Sequence, residues 1–75
     1  MNTSAKLLLA MRRTPLDWTL AQLQTVARQH RIDWRHQGTS HCVFVGADGK
    51  TLPVPARRPI KPIYIHKFLD LVDGG

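Results

Sequence analysis

The spacing of apolar positions changes period twice along this chain, and the changes divide it into elements. Leu7, Leu8 and Met11 fall on one helical stripe, with Arg12 and Arg13 suited to the negative C-terminal end of a helix dipole. That pattern predicts a short helix over 4–13, capped by Ser4 and ended by Pro15. Leu16, Leu20, Leu23, Val26 and Ala27 continue at helical spacing, with Gln22, Gln24 and Arg28 on the opposite face. They predict a second helix over 17–30 with Asp17 as its cap and Trp18 anchoring it to the first. The period then drops to two. Ile32 and Trp34 alternate with Arg31, Asp33 and Arg35, as in a half-buried strand. Gln37-Gly38-Thr39 reads as a turn and His41 to Val45 as a second strand. Gly46-Ala47-Asp48-Gly49 is a hairpin loop, its Asp-Gly pair the strongest signal. Lys50 to Val54 completes the set of strands, with Leu52 and Val54 on one face. Pro53 marks an edge, since it cannot donate to a ladder. Pro55 to Pro62 is a basic, proline-rich connection. Pro62 suits the first turn of a last helix over 62–73, whose buried side carries Ile65, Phe68, Leu69 and Val72. The expected fold class is α+β in the order α-α-β-β-β-α, a three-stranded antiparallel meander with helices packed on one face. The other face is left to solvent or a ligand.

Composition narrows what such a fold can do. Seventy-five residues make one domain, with no internal repeat and no room for a deep cofactor cavity. Cys42 is the only cysteine, so an intramolecular disulfide and a zinc site built from several cysteines are both excluded. A lone thiol fits a reducing compartment. The longest apolar run, Leu7 to Met11, is far too short to span a bilayer and makes no secretory signal core. A cytoplasmic protein without a membrane partner is therefore expected. Eleven Lys and Arg stand against five Asp and no Glu, a formal net charge of +6. Such an excess suits a phosphate polymer, an anionic surface or an acidic protein, although it also serves plain solubility. With no paired carboxylates, a glycosidase or a two-metal nuclease is disfavoured.

The candidate chemistry centres on Ser40-His41, at the mouth of the second strand. A histidine on a rigid strand facing solvent can exchange protons near neutral pH. On RNA it would take the proton of a ribose 2′-hydroxyl, whose oxygen then attacks the adjacent phosphorus. Ser40 and Thr39 can donate to a phosphate oxygen, and Gly38 allows close approach of a backbone. Arg57, Arg58 and Lys61 lie just before a helix N-terminus, a place that favours phosphate. Arg35 and His36 extend the same basic region. His30, His36 and His66 match no metal-site spacing, so neither a metal nor another cofactor is expected. His36 and Tyr64 are candidates for a second proton-transfer group. Cys42 alternates away from His41 and is expected as a core thiol. Each of these residues also has an ordinary reading, as a strand-end histidine, a solvated loop or a surface position.

Taken together, the order of elements and certain motifs resemble the HicA family of toxins, mRNA interferases of bacterial toxin–antitoxin pairs. The resemblance spans roughly residues 17–73. It rests on Leu20-Ala21-Gln22-Leu23, on Ser40-His41-Cys42-Val43-Phe44, on Leu52-Pro53-Val54-Pro55, and on Arg58-Pro59-Ile60-Lys61-Pro62-Ile63-Tyr64-Ile65. Thr39 stands where the family usually has Gly directly before Ser-His, and the helix over 4–13 is extra to the minimal pattern. The resemblance implies a fold like that of double-stranded-RNA-binding domains. It also implies endonucleolytic cleavage of mRNA that depends on His41, and a HicB-like antitoxin that covers the active site. Two other functions fit the same residues: a non-catalytic RNA-binding module, and a protein-interaction domain with a basic face.

Overall fold

Alternation along one strand decides the architecture. The computed structural model describes residues 3–36, 40–57 and 59–74; the side chains of Thr3 and Ser4, residues 37–39 where a turn is expected, and Arg58 lie outside that description. The elements run α1 (Thr3–Arg13), α2 (Leu20–Gln29), β1 (Asp33–Arg35), β2 (His41–Val45), β3 (Thr51–Pro55) and α3 (Pro62–Val72). The strands form one antiparallel sheet in the order β1-β2-β3. Cross-strand partners share a face. Trp34 therefore lies with Phe44, Phe44 with Leu52 and Cys42 with Val54 on the inner face, and of these Cys42, Phe44, Leu52 and Val54 are buried. His41 opposite Pro55, Val43 opposite Pro53, and Arg35 opposite Val43 lie on the outer face. Pro53 and Pro55 occupy the β3 edge, where a missing N–H costs the ladder nothing.

The helices cover the inner face. Ile65, Phe68 and Leu69 of α3 and Leu23, Val26 and Ala27 of α2 join the sheet in a single core cluster. Phe44 is its centre, with an edge-on contact to Phe68 at 5.1 Å and a tilted one to Trp34 at 6.4 Å. Arg28 of α2 lays its guanidinium over the Trp34 ring, 5.8 Å from the centroid. The extra helix α1 is no appendage. Met11 is fully buried in the same cluster, and α1 packs on both α2 and α3. Arg12 and Asp73 form a two-pronged ion pair that ties the C-terminal ends of α1 and α3 together, its longer hydrogen bond 3.2 Å.

The second helix begins later than its apolar spacing predicts. Thr19, not Asp17, is the N-cap, and its backbone N–H donates to Gln22 Oε1 at 2.9 Å. Thr19-Leu20-Ala21-Gln22 is the T-x-x-Q pattern of a capping box, which outcompetes a lone Asp upstream. Asp17 instead takes a left-handed backbone with φ 64°, which swings Leu16 out of the helical stripe and leaves it 55% exposed. At the other end His30 is the C-cap, Arg31 is left-handed at φ 58°, and the Ile32 N–H reaches the Ala27 carbonyl at 2.9 Å. That is a Schellman ending, and it delivers Ile32 to the core. The β2–β3 hairpin closes as its sequence predicts. Gly46 N–H donates to the Lys50 carbonyl, Gly49 N–H donates to the Gly46 carbonyl, and Gly49 supplies the positive φ of 87° that the bulged turn requires.

Candidate active site at the end of the sheet

Two backbone contacts build a cleft where β2 begins and β3 ends. Beyond the last strand pair, Ala56 N–H donates to the Ser40 carbonyl at 2.8 Å, which carries the ladder one step past His41. Ile60 N–H donates to the Trp18 carbonyl at 2.8 Å, a lone antiparallel bridge between the α1–α2 connection and the segment before α3. Trp18 can serve as that post because its own side chain is fixed. The ring is buried, and Nε1 donates to the Thr14 carbonyl at 2.7 Å. Ile60 is buried beneath the bridge. Ala56 and Ile60 are thus pinned by backbone bonds, and Arg57 and Lys61 line the cleft beside the histidine strand.

The resulting cleft has a volume of about 600 Å³. Ser40, His41, Arg57 and Lys61 supply its polar lining, and Pro55, Pro59, Ile60 and Tyr64 line the rest. No described lining residue is acidic, so the cleft favours an anion. Lys61 is the N-cap of α3 and Pro62 its first helical residue, so the positive end of that helix opens beside the cleft. Ser40 Oγ lies 3.1 Å from His41 Nδ1, a hydrogen bond whose direction follows the ring tautomer. It orients the imidazole as a positioned proton-transfer group requires.

Of the residues singled out in the sequence, His41, Ser40, Arg57 and Lys61 meet in this cleft. Arg35 does not line it. Arg35 is exposed on the outer face of β1 opposite Val43, the neighbour two positions along β2 from His41. Arg58 lies outside the described residues. Tyr64 lines the cleft, whereas His30, His36 and His66 do not. Trp18 and Ile60, which hold the basic segment in place, carry no chemical signature. The sequence pattern predicts Trp18 as an anchor of the second helix on the first and assigns Ile60 no structural role. Cys42 is the core thiol expected. Burial pushes it up, against a weak hydrogen bond from Gln24 at 3.8 Å. Among the described residues, no three His, Cys or Asp side chains gather in a way that could hold a metal ion. Among them, too, no helix is long and apolar enough to cross a membrane.

No protein-family profile, curated protein or solved structure matches this chain.

Proposed function

We propose that this protein is a metal-independent endoribonuclease that cleaves mRNA, the toxin half of a HicAB-type pair. One observation carries the reading: the strand histidine, a serine bonded to its ring, and two cations share a single cleft that no carboxylate of the described residues lines. With Nδ1–H donating to Ser40 Oγ, His41 Nε2 accepts the proton of a ribose 2′-hydroxyl. The 2′-oxygen then attacks the adjacent phosphorus and the bond to the 5′-oxygen breaks. That oxygen takes up a proton from water and His41 returns its own to solvent, leaving a 2′,3′-cyclic phosphate and a 5′-hydroxyl. Arg57 and Lys61 neutralise the charge gathering on the phosphate, with Arg58 in the same basic stretch and Arg35 contacting RNA further along the sheet. General acid–base catalysis of this kind contributes about 10²–10⁴-fold, enough for a toxin that needs only to nick messages. In this reading the natural inhibitor is a HicB-like antitoxin seated over the cleft, and the site of action is the cytoplasm.

The test separates catalysis from binding. His41→Ala should abolish cleavage of a long mRNA while leaving salt-sensitive binding in place. Arg57→Ala combined with Lys61→Ala should weaken both. A parent that binds RNA but never cuts it makes the protein a non-catalytic RNA-binding module. A parent with no affinity for RNA at low salt makes it a protein-interaction domain.

A further inference from the structure

The cleft is larger than a phosphate needs, and four of its eight lining residues are proline, isoleucine or tyrosine. Pro55, Pro59, Ile60 and Tyr64 bring apolar surface to a cleft whose polar lining includes Ser40 and His41. Tyr64 is half-buried and packs against the core. Its backbone is fixed in the first turn of α3, where its N–H donates to the Lys61 carbonyl at 3.0 Å. The prolines are rigid, and Ile60 is locked by the Trp18 bridge. An aromatic ring and flat aliphatic walls on fixed backbone are what a nucleobase stacks on. At about 600 Å³ the space is in the range of small-ligand pockets.

On the ribonuclease reading above, we infer that this apolar surface is a base pocket. Tyr64 stacks the base of a nucleotide flanking the scissile phosphate, while Arg57 and Lys61 hold the phosphate beside His41. Two consequences follow. The substrate is single-stranded at the cut, because a base paired and stacked in a duplex reaches a recessed pocket only if it is flipped out. Base identity matters less than base presence, because every base has a face to stack and the apolar surface offers few hydrogen-bonding groups. Tyr64 is then a substrate-binding residue that acts through its ring, not a proton donor that acts through its hydroxyl.

The experiment deletes the base from the substrate and the ring from the protein. A synthetic RNA of one known cleavage site is made with a single abasic ribose walked along it, and cleavage and binding are measured with the parent. Tyr64→Phe, Tyr64→Leu and Tyr64→Ala are compared on the intact oligonucleotide, with circular dichroism and Tm to verify folding. The expected result is a rise in KM of about 5–150-fold when the abasic position flanks the cut, and little change elsewhere. Tyr64→Phe should behave as the parent, while Tyr64→Ala and Tyr64→Leu should show the same rise in KM on the intact RNA. If the flanking abasic substrates are cut with unchanged KM, the base pocket is wrong and the ribonuclease reading stands. The same holds if Tyr64→Phe loses kcat as severely as Tyr64→Ala, which would assign the hydroxyl to proton transfer. If the parent neither cuts nor binds the intact oligonucleotide, both readings fall together. If the oligonucleotide annealed to its complement is cut as fast as the single strand, the pocket is overturned as well.

Discussion

Arg31 illustrates how much a single backbone position can hold. Its φ of 58° closes the Schellman ending of α2, yet an arginine side chain gains nothing from that conformation. Arg31→Gly relieves the strain at some entropic cost in the unfolded chain. It should stabilise the fold by about 0.5–1 kcal/mol, read as a rise in Tm of several degrees. Gly49→Ala is the opposite case. The site is open to a Cβ but sits at φ 87°, so the variant should lose about 1 kcal/mol by urea titration. His41 and Cys42 show the residue scale at its most legible. Adjacent strand positions face opposite ways, and the pattern His-Cys-Val-Phe-Val puts the imidazole outside and the thiol inside. Because burial raises the thiol and shields it, a thiol-alkylating reagent should modify Cys42 slowly in native buffer and rapidly in denaturant. Fast native alkylation would contradict the packing. Asp17 was less legible. As a capping residue just before an apolar run it competes with Thr19 on composition alone, and only the reciprocal Gln22 decides between them.

At the scale of elements, periodicity located every helix and strand, because each buries one face against the same core. It did not reveal what joins them. The Arg12–Asp73 pair links residues 61 positions apart in sequence, and no local pattern announces it. Its effect on stability has a definite sign. The hydrogen bond from Arg12 holds the Asp73 carboxyl below its ordinary value, helped by the Arg12 charge and, more weakly, by His30. A carboxyl depressed in the folded state contributes stability above its unfolded pKa of about 3.9, and that contribution fades as pH falls through the lower folded value. Asp73→Asn should therefore lower Tm modestly at pH 7 in low salt. The difference should shrink at high salt, because the pair is exposed, and fade in acid as the carboxyl takes up its proton. Trp18 is the other hidden joint. Trp18→Phe removes the bond from Nε1 to Thr14 and leaves a void beside Ile60. It should cost about 1–3 kcal/mol in urea titration. Since the Ile60 bridge positions Arg57 and Lys61, cleavage should slow along with it.

For the whole molecule, charge and cleft must be considered together. The net +6 of the sequence suggested an anionic partner but not where it sits. Folding brings Ser40-His41, from one side of a hairpin, to Arg57 and Lys61 beyond the next strand. The strand histidine and the basic segment were each visible in sequence. Their meeting was not, because it depends on the Trp18–Ile60 bridge and on the ladder running on to Ser40. Arg35 shows the converse, a cation near in sequence that the sheet sets outside the cleft. Phosphate contacts release counterions, so RNA affinity should fall steeply with salt. Losing Arg57 and Lys61 together should reduce the slope of log K against log salt by about 1.4 for a single strand. The most direct test of the central claim is cleavage of a long single-stranded mRNA in EDTA by the purified protein and by His41→Ala in parallel, with end-group analysis of the fragments. The account predicts that the parent cuts, leaving 2′,3′-cyclic phosphates and 5′-hydroxyls, and that the variant does not. Equal cleavage by both proteins, or cleavage abolished by EDTA, would contradict it.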